Sequence, residues 1–343
     1  MITTDSHIKE KILKFCNKIG QDRLLVQGSG GNVSWKDGDT LWIKASGEKI
    51  SDAKIKDIFV PVNLIDLKKA INRNFFDAKP LVTIESTKKP SIETMLHAIF
   101  PQKIVVHLHA IEFVSRLIWK DLRFLEKNLS IPNVYACLIN YIKPGPQLAS
   151  VVYSALRSQP KLNVAFLKNH GVVIAANSIN EIEVFMRALL LLFQNKLYVQ
   201  SYLKSDKTQI NYEVINQGYI FLEDRELIQL SLNPQLYSKL IELWAICPDQ
   251  VVFLGEEPSI LSVNLTIDDL KKKISPPYIF DLGKGLYEKV GITDTQRSQL
   301  KFYFDILIRQ PKEAEIDCLS RESIKDLVDW DAEKYRINKS LND

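Results

Sequence analysis

The sequence predicts an α/β fold: a mixed or antiparallel central sheet covered by helices, followed by a mainly helical C-terminal subdomain. Two observations carry this. The β-type segments meet through tight turns rather than crossover helices, and amphipathic helical stretches stand before, between and after them. A change of texture after about residue 205 sets the subdomain apart, and the expected units are residues 1–210 and 220–343. A chain of 343 residues has the length for two such domains.

The elements follow in order. Ile8, Ile12, Leu13, Cys16 and Ile19 recur at helical spacing after Thr3, Thr4, Asp5 and Ser6, any of which can cap an opening helix. In QGSGGNVSWKDGDTLWIKASGE, a Gly-rich loop leads into a hairpin whose turn is Lys36-Asp37-Gly38-Asp39, with a second strand over 40–45. DIFVPVNL continues the β pattern, and 66–73 reads as a solvated helix. SIETMLHAIF reads as a short helix stopped by Pro101, KIVVHL as a strand, and VAFLKNHGVVIAA as a hairpin turning at 168–171. A long helix over about 179–202 closes this part. Beyond it come a polar connector, KSDKTQ, and helices interrupted by two short apolar strands, QVVFLG and YIFDLG.

Composition narrows the function. With 45 basic and 41 acidic residues interleaved for a net +4, nothing marks a nucleic-acid surface. The cysteines Cys16, Cys137, Cys247 and Cys318 form no C-x-x-C pair, so neither a disulfide framework nor a thiolate zinc site is expected. The N-terminal MITTDSHIKEKILKF is charged and lacks an apolar core, and no run of about 18 apolar residues follows. A cytoplasmic protein without membrane contact is the expectation.

The five histidines carry the chemistry. On a strand, His107 and His109 share one face, with Leu108 turned away. Two imidazoles there can reach one ion, and catalytic zinc sites commonly use three protein ligands and leave a position open. His170, in the turn Asn169-His170-Gly171, offers a third ligand, and Glu93 supplies a carboxylate. Taken singly, an H-x-H pair, a turn histidine and a helical glutamate are each commonplace; together in one chain they are not. The loop Gly28-Ser29-Gly30-Gly31-Asn32 offers closely spaced backbone N–H groups that suit an anion, although taken alone a plain tight turn is the commoner explanation. Ser46-Gly47 and Ser91 are further candidates for the same anion. His97 reads as a packing residue one turn after Glu93, and His7 as part of the first helix.

In this order GSGGNVS, ASG, PSIE, HLH and KNHG resemble the class II aldolase/adducin family over about residues 5–202. That family includes zinc-dependent sugar-phosphate aldolases, an epimerase and a dehydratase. Longer phrases, DRLLVQGSGGNVSWKDGDTLWIKASG, PSIETMLHAIFPQKIVVHLHA, PDQVVFLG and LVDWDAEKYR, resemble the aldolase half of larger bifunctional rhamnulose-phosphate aldolase/short-chain dehydrogenase proteins. No Rossmann fingerprint occurs before Asp343. The resemblance implies a three-layer fold, a zinc ion or another divalent metal on His107, His109 and His170, and Glu93 as the catalytic carboxylate. It puts Ser29, Gly31, Asn32, Ser46, Gly47 and Ser91 at phosphate-binding positions, with Ile92 where the fuculose-phosphate enzyme has a second serine. Tyr135 lies near the position of a tyrosine acid contributed by a neighbouring subunit, and the resemblance implies a homo-oligomer, a tetramer in the first place. The implied activity is retro-aldol cleavage of a ketose or ketose 1-phosphate through a zinc-stabilised enediolate. The alternatives are epimerisation, dehydration or decarboxylation at a similar zinc site, or a non-catalytic adducin-like binding module.

Overall fold

The computed structural model describes residues 4–84, 86–199, 208–272 and 274–341. The side chains of residues 4–7, 126 and 127 fall outside it, as does most of the expected connector KSDKTQ, so the reading of His7 rests on its place in the first helix alone. The chain divides into two compact units, residues 1–117 with 121–194, and residues 118–120 with 195–343. No described helix is long and apolar enough to cross a membrane.

The first unit is built on a seven-stranded sheet: β1 (Asn32–Asp37), β2 (Thr40–Lys44), β3 (Phe59–Asn63), β4 (Ile104–Leu108), β5 (Ala136–Ile139), β6 (Val164–Leu167) and β7 (Gly171–Ala176). Its order is β3-β2-β1-β4-β7-β6-β5. Every neighbouring pair is antiparallel except β5 with β6, so the sheet is mixed. Around it stand α1 (Thr4–Gly20), α2 (Leu64–Asn72), α3 (Thr94–Ile99), α4 (Ile111–Leu117), α5 (Arg123–Asn128), α6 (Pro146–Ser158) and α7 (Ile179–Phe193).

Strand periodicity sorts the helices into two layers. Leu41, Ile43, Val60, Val62, Val105, Val173 and Ala175 share one face and form a single core with α2, α3 and α6. On the opposite face Phe166 meets Phe113 of α4 and Phe193 of α7, and Lys9 of α1 lies over Trp42. A three-layer unit results. Val105, Val106, Leu108, Val172, Val173 and Ile174 are fully buried, and each large apolar side chain so placed contributes about 1.5–3 kcal/mol. His107 points to the α3 face, because it lies two residues from Val105.

Two segment readings are corrected here. The helix expected over 179–202 stops at Phe193, and Tyr198 N–H then donates to Ile308 O, which a continuing helix would forbid. QVVFLG is not a strand but the core of a helix, Pro248–Leu254, with proline in its first turn and Gly255, at φ 100°, directly after it. Proline early and glycine just beyond the end are the boundary signals of a helix, and they outweigh the β-branched run.

The second unit contains a three-stranded antiparallel sheet, β8 (Tyr219–Phe221), β9 (Tyr278–Asp281) and β10 (Gly285–Lys289), in the order β8-β10-β9. YIFDLG supplies β9, as its sequence predicts. The rest is helical: α8 (Tyr212–Ile215), α9 (Gln229–Leu232), α10 (Pro234–Glu242), α11 (Pro248–Leu254), α12 (Ile267–Lys271), α13 (Asp294–Leu307), α14 (Arg321–Val328) and α15 (Asp331–Ser340).

Candidate active site

The central strand β4 sets the site. It is flanked by β1 and β7, in a register that puts Asn32 opposite His107 on one side and Val173 opposite His107 on the other. Both neighbours press against it through glycine. A Cβ on Gly171 would lie 2.2 Å from Leu108 O, and one on Gly31, where φ is +68°, would lie 2.9 Å from His107 O. Any side chain at these positions would push the flanking backbones off the histidine strand.

His170 arrives from the β6–β7 turn, where Asn169 takes the left-handed conformation at φ 55° and His170 N–H donates to Leu167 O at 3.1 Å. Asparagine tolerates that conformation better than most residues. The three imidazoles converge. His107 Nε2 lies 2.9 Å from His109 Nε2 and 3.3 Å from His170 Nε2, and the three potential ligand atoms all fall within 4.8 Å of one another. Their relative exposures of 0%, 7% and 4% make the cluster an interior one.

These residues fit a divalent ion. Three nitrogens at tetrahedral angles about zinc, each about 2.0–2.1 Å from it, stand about 3.3 Å apart. The donor state fits as well. His107 Nδ1 lies 3.0 Å from Val172 O, and a carbonyl can only accept, so the proton sits on Nδ1 and Nε2 turns a lone pair inwards.

Glu93 faces the cluster from the start of α3. Its Oε2 lies 3.5 Å from His107 Nε2 and its Oε1 3.7 Å from His170 Nε2. Asn32 Nδ2 donates to Oε2 at 2.7 Å, and Glu93 N–H donates to Ser91 Oγ at 3.2 Å. At 4% exposure this carboxyl is enclosed.

The anion candidates meet beside it. The buried Lys44 Nζ donates to Ser29 O at 3.0 Å and to Glu48 O at 2.6 Å, which ties the Gly-rich loop to the Ser46-Gly47 loop. Ser46 N–H donates to Lys89 O at 2.9 Å and Ser91 N–H to Lys44 O at 3.2 Å, which bring in the third segment. Ser29 Oγ is buried with no hydrogen-bond partner among the described residues. A hydroxyl held that way is a ready contact for a bound anion.

Tyr135 does not join this group. It precedes β5 at the sheet edge, 43% exposed, with Lys161 Nζ 5.6 Å from its ring centre. Two strands, β6 and β7, separate β5 from β4, about 14 Å at the usual strand spacing.

Sequence reasoning named Asn32 as an anion contact but not as a partner of Glu93, and it missed Ser34 and Lys36, which share with Asn32 the α3 face of β1. Ser34 Oγ lies 2.7 Å from His97 Nδ1, and Lys36 Nζ reaches the carbonyls of His97, Phe100 and Gln102 at 3.3, 2.7 and 2.7 Å. The signal is present in NVSWKD, where polar residues alternate with Val33 and Trp35 on a strand covered on both faces. Lys44 was passed over as well, although a lysine that ends an apolar strand is unusual enough to mark.

Known proteins resemble the first unit. The chain is 28% identical over 196 residues to the L-fuculose phosphate aldolase of Methanocaldococcus jannaschii, a match covering 55% of this chain and 94% of that protein. It is 26% identical over 180 residues to the uncharacterized oxidoreductase YuxG of Bacillus subtilis, covering 48% of this chain but only 26% of that longer relative. Among solved structures, the N-terminal class II aldolase domain of a conserved protein from Thermoplasma acidophilum aligns at a TM-score of 0.44 and 23% identity, covering 55% of this chain and 92% of that domain. The sequence profile of the Class II Aldolase and Adducin N-terminal domain matches residues 10–195, more than half of the chain and the segment that holds every histidine of the cluster. The chain therefore belongs to the class II aldolase and adducin family.

Proposed function

We propose that the chain is a metal-dependent aldehyde-lyase, with zinc as its ion, that cleaves a ketose or a ketose 1-phosphate by retro-aldol chemistry. The observation that carries this reading is the convergence of His107, His109 and His170 with the Glu93 carboxylate turned towards them. A scaffold that only binds a partner has no need of such a set. A divalent ion held there supplies Lewis-acid stabilisation of the charge that develops on the substrate carbonyl oxygen as the C3–C4 bond breaks.

The chain's own residues do the rest. Glu93 delivers a proton to the carbon released by cleavage and takes one up in the reverse direction, general acid–base work that needs its carboxylate fixed. Asn32 Nδ2 holds it. Ser29, Ser46 and Ser91, with the backbone of Gly31, Asn32 and Gly47, form the cradle for the substrate's anionic end. Tyr135, distant from its own cluster, exchanges the proton on the C4 hydroxyl from a second copy of the chain, in a homo-oligomer such as a tetramer.

Product analysis of the zinc-loaded protein with a panel of ketoses and ketose 1-phosphates tests this. Two smaller carbonyl compounds are expected. A product of unchanged mass, or one lighter by water or carbon dioxide, would replace cleavage by epimerisation, dehydration or decarboxylation. Metal bound with no turnover of any substrate would favour the binding-module reading.

A further inference from the structure

Catalytic groups must be held to within about 0.5 Å, and a misplacement of about 1 Å costs up to about a hundredfold in rate. Glu93 sits at the head of α3, a helix of only six residues, and a helix that short has little rigidity of its own. Something outside α3 has to fix its place relative to the histidines.

β1 has the means. Its Asn32 is paired in register with His107, and its Ser34 with Val105 on the same strand. On the same face its side chains grip α3 at three heights. Asn32 meets Glu93 at the start, Ser34 meets His97 one turn on, and Lys36 gathers the carbonyls of His97, Phe100 and Gln102 at the end. The last carbonyls of a helix lack internal partners and attract a cation, so Lys36 satisfies groups that would otherwise be stranded in the interior. His97 N–H donates to Glu93 O at 3.1 Å, which passes the position of the middle contact to the carboxylate residue. Ser34 and His97 are both 0% exposed, so this bond has no competing water.

We infer that Ser34 and Lys36 are positioning residues: through His97 and the end of α3 they set Glu93 against the histidine cluster, with β1 as the common ruler. This rests on the aldolase reading only for its kinetic readout. Ser34 and Lys36 are themselves neither metal ligands nor part of the anion cradle; their side chains act on His97 and on the carbonyls at the end of α3.

The test compares wild type, Ser34→Ala, Lys36→Met and Lys36→Arg, each with its metal content measured. The inference predicts that kcat falls about tenfold for Ser34→Ala and more for Lys36→Met, with KM within about twofold and metal unchanged. Lys36→Arg, which keeps a donor cation, should recover most of the loss. Because the effect passes through Glu93, Ser34→Ala added to Glu93→Gln should cost nothing further. Equal losses in both backgrounds, or a changed KM with kcat intact, would overturn it. If wild type cleaves no substrate, the aldolase reading fails separately, and the inference is judged on the side-chain amide resonance of Asn32 in protein labelled with 15N-asparagine. Ser34→Ala should move that resonance as Glu93→Gln does; a resonance left in place by Ser34→Ala would overturn the inference.

Discussion

The two units each gather ionisable side chains in the interior, to different ends. In the second, charges are matched: Arg336 Nη1 lies 2.9 Å from Asp249 Oδ1 and 2.8 Å from Glu333 Oε2, stacked over Phe253, and Arg297 forms a two-pronged contact with Glu288 at 2.9 and 3.2 Å. Burial alone would lower the Arg336 pKa, yet Asp249 and Glu333 outweigh it and hold the guanidinium above its ordinary range. In the first unit, three imidazoles converge on one point with a carboxylate turned towards them. Matched charges close a structure, whereas convergent lone pairs offer a donor set of the right chemistry for an ion.

Substitutions can break this contrast from either side. The largest effect is expected for Gly171→Ala, whose new Cβ would stand 2.2 Å from Leu108 O. The turn carrying His170 must shift, so metal binding should be lost altogether, as read by metal analysis after dialysis. Arg336→Met leaves Asp249 and Glu333 facing each other in the interior and should cost about 3–5 kcal/mol in urea denaturation, the scale for breaking a buried pair. It should leave metal content alone. Glu93→Gln tests the first unit's chemistry without its folding: metal is retained while turnover falls about a hundredfold. Full activity in that variant would remove Glu93 from the mechanism.

The smallest expected effect is a pH dependence. Burial first, then the nearby Lys36 and Lys44 charges, hold the His97 pKa well below its usual 6.5. The unfolded chain therefore binds a proton on this residue that the native state refuses, and stability present above pH 6.5 is lost as the pH falls below it. Between pH 7.5 and 5.5, with metal removed, the stability of wild type relative to His97→Gln should drop by about 1 kcal/mol. An unchanged difference across that range would mean that His97 takes up its proton in the folded state. Burial, with Lys68 adding to it, lowers the Lys36 pKa in the same sense, while the three carbonyls that accept from Nζ favour its ammonium form.

How much of this was legible in the sequence depended on the range of the contacts. His107 and His109 were readable because a strand repeats every two residues, and the hairpin bearing His170 because Asn169-His170-Gly171 is turn chemistry. The QVVFLG segment misled, since a short apolar run fits a strand and a buried helix equally, and Pro248 and Gly255 had to decide it. The grip of β1 on α3 links residues about sixty positions apart. The alternation in NVSWKD marks the residues but not what they hold. Lys44 is hidden for the same reason, because its partners are backbone carbonyls, which every residue possesses.

The central claim, that the three histidines hold an ion, is tested most directly by metal content per chain in wild type and in His107→Ala/His109→Ala. The account predicts close to one zinc per wild-type chain, lost in the double variant while the fold is kept. Wild-type protein that stays free of metal after zinc is supplied, or a double variant that retains it, would contradict the account.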